Sequence, residues 1–229
     1  MTPAAHASQH EQAIASLGAR IVAGDIPVGT VLTPEGLGLS RTVLRECIRV
    51  LESLGLVQAR RRRGTVVLPA SSWQALDPRI LSWRLAGPDR LTALAELGEL
   101  RLAVEPVAAR LASTRATPAQ CGELTAAIVG MAATQRSADR EEYLAHDRDF
   151  HRVLLEASGN PVFAALSAAV AEALNGRTVH ALMPDTANPE AIRLHEDVAA
   201  AVRRGDAAAA EAATRAIVEE ASAALTAPR

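Results

Sequence analysis

Apolar residues recur with helical spacing along most of the chain, and the exceptions lie before residue 70. Ile14, Leu17, Ile21 and Val22 mark a first helix that runs to Gly24. Ser40 is placed to cap a further helix that runs to about Leu54 and stops at Gly55, where a left-handed residue costs least. Within it Leu44, Cys47, Ile48 and Leu51 recur at i, i+3, i+4 and i+7, while Arg41, Arg45 and Arg49 recur every four residues on another face. One face is suited to burial and the other to solvent or phosphate. Residues 56–60, 61–64 and 65–68 then read as strand, tight turn and strand, a small hairpin whose tip carries Arg61, Arg62 and Arg63.

Beyond residue 70 strand alternation stops and helix punctuation takes over. Pro88, Thr117-Pro118, Asn160-Pro161 and Asn188-Pro189 supply helix starters, and Gly159 and Gly205 sit where helices end. The pattern predicts a mainly α protein: a small domain over residues 1–70 with residues 1–7 disordered, a linker over 71–76, and an all-α bundle of six or seven helices over 77–229. A length of 229 residues is enough for two cores. With 49% hydrophobic residues but only 2% aromatic, the interior must be alanine, leucine and valine, which suits closely packed helices.

Charge changes the picture in one place. The chain's net charge is −2, yet between Leu37 and Pro69 seven arginines face two acids, Glu46 and Glu52, a balance of +5. Four consecutive arginines, Arg60 to Arg63, repel one another unless a polyanion relieves them by displacing counterions. Residues 38–69 therefore read as a DNA-binding unit, against the plainer alternative of a solvated helix face and a basic loop. The two cysteines, Cys47 and Cys121, lie far apart without metal-ligand spacing, so neither a disulfide framework nor a cysteine zinc site is expected. No apolar run is long enough to span a membrane and the N-terminus lacks the layout of a signal peptide, so a cytoplasmic protein is expected.

One cluster in the helical part carries candidate chemistry. Asp147 and His151 stand four apart on one helical face and His195 follows on a later helix, a two-histidine, one-carboxylate set of the kind that bundle cores use to hold metals. The same set suits a metal-dependent enzyme, an iron oxygenase or a hydrolase, and equally a pair of satisfied core histidines. Against an enzyme stand the lack of an obvious nucleophile or base beside the set and a DNA-reading module that would be idle.

The residues Leu39-Ser40-Arg41-Thr42-Val43-Leu44-Arg45-Glu46, Leu54-Gly55-Leu56-Val57 and Arg63-Gly64-Thr65-Val66-Val67 resemble the winged helix-turn-helix of the GntR transcription-factor family. Asp147-Arg148-Asp149-Phe150-His151, Ser158-Gly159-Asn160-Pro161 and Glu99-Leu100-Arg101-Leu102-Ala103-Val104-Glu105-Pro106 resemble the FCD ligand-sensing domain of its FadR-type members. The resemblance implies a homodimeric repressor that binds double-stranded operator DNA through Ser40, Arg41, Thr42, Arg45 and Arg49 on the recognition helix and Arg63 and Gly64 at the wing. It implies a divalent metal of the zinc, nickel or manganese class on Asp147, His151 and His195, and an effector carboxylate gripped by Arg101. Two departures stand out. From Pro34 to Leu39 there is room for hardly more than one turn of the first helix of the motif, and Ile217 occupies the place of a fourth, histidine metal ligand. The segment Leu76 to Trp83, Arg101 and Ile217 are most similar to family members that respond to a sugar acid such as an aldonate.

Overall fold

The computed structural model describes residues 9–137, 140–179 and 189–226; the expectations for residues 1–7 and for Asn188 lie outside them. The chain divides into two compact units, Met1–Arg90 and Leu91–Arg229.

In the first unit α1 (Gln9–Val22), β1 (Val31–Leu32), α2 (Pro34–Leu37), α3 (Arg41–Ser53), β2 (Val57–Arg60), β3 (Gly64–Val67) and α4 (Pro78–Ala86) follow in order. The strands form an antiparallel sheet in the order β1-β3-β2, with Val57 opposite Val67 and Arg60 opposite Gly64. Helix α2 is a single turn. Thr33 caps it by accepting from the Gly36 amide at 3.2 Å, Pro34 pre-sets its first dihedral, and Gly38 ends it in the left-handed region. Ser40 then starts α3 by accepting from the Val43 amide, which leaves the apolar face of α3 aligned with the core. Leu44, Cys47 and Leu51 are buried there with Ile14, Leu17 and Ile21 of α1 and Leu54, Leu56 and Val57.

Ile80 of α4 belongs to this same core, and the Trp83 ring lies so close to Gly18 of α1 that a Cβ there would fall 2.3 Å from it. Where the sequence begins the helical domain at residue 77, the structure therefore packs α4 with the first unit. The segment before it, expected as a linker, contains a 3-10 turn at Ala70–Ser72 and hydrogen-bonds to the unit through Gln74 N to Leu54 O.

The second unit holds α5 (Arg90–Arg115), α6 (Pro118–Ser137), α7 (Arg140–Ala157), the single turn α8 (Pro161–Ala164), α9 (Ser167–Val179), α10 (Pro189–Arg204) and α11 (Ala207–Thr226), and no strand among the described residues. Helices α6 and α7 pack on each other, α7 also on α9, and α10 on both α6 and α11. Phe150, Leu154, Leu124 and Met131 fill the centre, and Ala109 and Ala112 let α5 approach closely. Gly159 and Gly205 end α7 and α10 with positive φ, as the sequence leads one to expect. No helix among the described residues is long and apolar enough to cross a membrane.

Gly55 combines a left-handed φ of 75° with the Ser72 carbonyl oxygen 2.1 Å from where a Cβ would stand. Gly55→Ala is accordingly expected to destabilise the protein by about 2 kcal/mol or more, because strain and overpacking add. Thermal unfolding reads it, and an unchanged melting temperature contradicts the packing of residue 72 against the end of α3.

Candidate functional site

The basic face of α3 is presented as its sequence spacing requires. Arg41, Thr42, Arg45 and Arg49 are exposed, while the Ser40 hydroxyl is committed to the cap. Glu46, between the arginines, lies 3.5 Å from Arg45 and 3.2 Å from Arg49. Such solvent-facing pairs contribute little to stability, so both arginines can leave them cheaply for a phosphate or a base edge. The hairpin tip holds Arg61, Arg62 and Arg63 between the paired Arg60 and Gly64, all exposed. Arg62 sits at φ 65°, a left-handed position that costs a non-glycine residue roughly 1–2 kcal/mol. Glu52, which had no assigned role from sequence, accepts from the Ala59 amide at 3.0 Å and thereby fastens the end of α3 to the wing.

In the second unit the structure brings Arg101, Asp147, His151 and His195 together from α5, α7 and α10, and adds Glu105, which sequence reasoning passed over. All five side chains are buried. Glu105 is fully enclosed: its Oε1 accepts from Arg101 Nε at 2.6 Å and its Oε2 accepts from His151 Nδ1. The one available signal was the i, i+4 spacing of Arg101 and Glu105 on an otherwise alanine- and leucine-rich helix. His195 Nδ1 donates to the Ala191 carbonyl at 2.6 Å, one turn back on its own helix. The Phe150 ring meets both imidazoles edge-on, with centroid separations of 5.6 Å and 4.7 Å, and holds their planes.

These bonds fix which ring nitrogen is free. With a proton on each Nδ1, both neutral imidazoles turn an Nε2 lone pair toward Asp147 Oδ1, 3.5 Å away from His151 and 3.2 Å away from His195. Among the described residues, His195 Nε2 is buried without a hydrogen-bond partner. His195 Nε2 and Asp147 Oδ1, two acceptors 3.2 Å apart, repel unless a proton or a metal ion stands between them, while His151 Nε2 beside them accepts from Arg101 Nη2 at 3.3 Å. The set fits a metal: tetrahedral bonds of about 2.1 Å place neighbouring ligand atoms about 3.4 Å apart, close to both distances. All three ligand atoms lie within 4.8 Å of one another. The hydrogen bonds from each Nδ1 are those that orient metal-ligating histidines elsewhere. Ile217 of α11 is buried in the hydrophobic cluster that includes Phe150 and supplies no ligand.

Burial raises the Asp147 and Glu105 carboxyls, but the partners outweigh it. Donation and charge from His151 and His195, when those rings carry both protons, hold Asp147 well below the usual carboxylate range. Arg101 and His151 bring Glu105 down to about 2. Burial likewise opposes charge on His151, yet Glu105 and Asp147 together raise its pKa. Arg101 is no open cationic finger: besides Glu105, its Nη2 meets His151 Nε2 at 3.3 Å, and it borders a cavity of about 10 Å³ with Leu94, Gly98, Ala173, Val218, Ala221 and Ser222.

Comparison with known proteins agrees with both halves of the chain. Residues 9–67 match the model of the bacterial regulatory proteins, gntR family, and residues 96–220 match the FCD domain. The chain is 31% identical over 209 residues to the galactonate operon transcriptional repressor of Escherichia coli, covering 89% of this chain and 90% of that protein. Among solved structures its fold is similar to Streptococcus agalactiae GntR, with a TM-score of 0.52 at 24% identity over 93% of this chain and 99% of that one. It is similar also to Escherichia coli McbR/YncC, with a TM-score of 0.56 at 18% identity over 96% and 98%.

Arg45→Ala is expected to leave the melting temperature unchanged and to weaken binding to a selected operator by about 1–3 kcal/mol, with relaxed preference at one base position. Unchanged affinity takes Arg45 out of the reading set. Replacing Arg61, Arg62 and Arg63 together should instead flatten the salt dependence of binding, since those contacts go to phosphate.

The buried carboxylates set an acid limit on stability. Both folded pKa values are depressed, so their contribution is present above the ordinary carboxylate pKa and lost on acidification, for Glu105 as pH falls from 4.5 through about 2. For Glu105 this amounts to about 3 kcal/mol. His151 has the opposite sign, contributing below 6.5 and losing its share as pH rises through its raised pKa. Melting of chelator-treated protein should therefore drop on acidification below about 4.5, and Glu105→Gln should make that drop shallower.

Proposed function

The chain belongs to the gntR family of bacterial regulatory proteins and carries that family's FCD domain, and from this premise we propose a repressor whose operator affinity is set by a small carboxylate bound beside a divalent metal. Its family is one of DNA-binding transcriptional regulators with a ligand-sensing domain, not enzymes, and the reading of Asp147, His151 and His195 as a catalytic centre loses its support. Two copies would pair so that two α3 helices read two half-sites, since one short helix reads few bases. A cytoplasmic location follows from that work.

The observation that carries the sensor reading is the convergence of three acceptors in a buried, anionic pocket. With neutral imidazoles, Arg101, Glu105 and Asp147 sum to one negative charge in the interior, which is costly to bury. A divalent ion on Asp147, His151 and His195 changes the sum to one positive charge, and a carboxylate effector then neutralises it. With three protein ligands the metal keeps positions open for effector oxygens, and Arg101 supplies a fork for the carboxylate. The metal's contribution is Lewis acidity toward those oxygens. Likeness to the galactonate operon repressor favours a sugar acid such as an aldonate.

The cavity beside Arg101 holds about one water, so a sugar acid enters only if α11 moves away from α5 and α9. That movement is the signal an FCD domain can pass on: the effector shifts DNA binding only by its differential affinity for the two arrangements. The seam is close, since a Cβ on Gly98 would lie 3.2 Å from Ser222 Oγ.

A thermal-shift screen of small carboxylates, aldonates included, with and without chelator tests the whole site. Metal should raise the melting temperature, a carboxylate should raise it further only with metal present, and His195→Ala should lose both shifts. Gly98→Val should lose the carboxylate shift alone. Purified protein without metal, unmoved by added divalent ions, removes the metal from this reading.

A further inference from the structure

Glu105 stands between two groups that both need an acceptor. Arg101 Nε donates to one carboxylate oxygen at 2.6 Å, and a guanidinium has no lone pair to offer in return. His151 Nδ1 donates to the other. With the proton held on Nδ1, Nε2 is an acceptor: it takes a hydrogen bond from Arg101 Nη2 at 3.3 Å and stands 3.5 Å from Asp147 Oδ1. His195 reaches the same state by another route, because its Nδ1 is held by the backbone of its own helix at Ala191. For His151 the Nδ1 partner comes from α5, 46 residues earlier in the chain.

We propose that Glu105, by offering one carboxylate oxygen to each of two donors, is the positioning residue that holds the metal-binding tautomer of His151, a tautomer that Arg101 Nη2 beside Nε2 also favours. This rests on the metal reading given above. An amide in its place has a single acceptor oxygen. Arg101, charged and buried, takes that oxygen, because charge-assisted hydrogen bonds are the stronger ones. The amide nitrogen then faces Nδ1, which must accept, and the imidazole proton moves to Nε2, where it points at Asp147, displaces the Arg101 Nη2 donor and blocks the metal. Glutamine and glutamate have the same shape and the displaced proton meets a carboxylate, so the fold is retained. Replacing Arg101 as well by the similarly sized, donor-free methionine releases the amide oxygen to His151 and restores the binding tautomer.

Zn2+ affinity, measured by competition with a chromogenic chelator, and ring-nitrogen NMR of the metal-free protein test this. Glu105→Gln should weaken Zn2+ by about 10- to 100-fold with unchanged helical content, and should move the His151 proton to Nε2. Adding Arg101→Met to Glu105→Gln should recover part of that loss, whereas for a merely structural residue a second buried substitution makes binding worse. Equal affinity in Glu105→Gln and wild type, or weaker binding in the double variant than in the single one, overturns the proposal. So does a wild-type spectrum with the His151 proton on Nε2, a result that depends on no variant. Wild-type protein that binds no Zn2+ overturns this proposal and the metal reading together, while normal wild-type binding with an insensitive Glu105→Gln variant overturns this one alone.

Discussion

A carboxylate with no exposed surface must have both its oxygens answered from within the protein, and the sensor half of this molecule is arranged around that requirement at Glu105. Its two donors come from different helices, Arg101 from α5 and His151 from α7, so satisfying one side chain also sets the register in which those helices meet. The consequence reaches further. With its Nδ1–H donated to Glu105, His151 keeps Nε2 as an acceptor that meets Arg101 Nη2 and stands 3.5 Å from Asp147 Oδ1, and His195 on α10 is turned to the same oxygen. A demand for hydrogen-bond satisfaction in one corner of the bundle thus produces an unsatisfied, cation-seeking centre in the next.

Alanine makes this possible. Charged groups are buried in a helical bundle only where the backbones come close enough for short reaches, and Ala108, Ala109 and Ala112 on α5 are fully enclosed. Around the polar cluster Phe150, Leu154 and Ile217 exclude water, which strengthens each ion pair and raises the cost of leaving any member unpaired.

The DNA-reading half uses arginine in the opposite manner. Arg45 and Arg49 are held only by Glu46 in full contact with solvent, and Arg61 to Arg63 crowd a hairpin tip at the cost of one left-handed arginine. These side chains contribute little to the fold and stay available to a polyanion. Arg101, by contrast, is bound into the core and becomes available to a ligand only if the surrounding helices move. One residue type is exposed in the first unit and bound into the core of the second.

Local pattern made a large part of this legible. The period of Leu44, Cys47 and Leu51 against Arg41, Arg45 and Arg49 specified α3 and its two faces; Ser40, Gly55, Gly159 and Gly205 marked helix ends; and the single turn at Pro34–Leu37 was implied by the number of residues available. All of these depend on interactions within a few residues, which sequence order preserves. The spacing of Asp147 and His151 likewise placed two ligand atoms on one face. What the sequence left open depends on partners far apart in the chain. Helix α4 packs with the DNA-binding unit because Trp83 fits over Gly18, and Glu52 ties α3 to the wing through an amide that no local pattern singles out. On α5 alone Glu105 has only its i, i+4 neighbour Arg101 to mark it, and folding brings His151 to its second oxygen. The tautomer of an imidazole is decided by whichever group reaches its other nitrogen, and that is a property of packed helices, not of the order of residues along one of them.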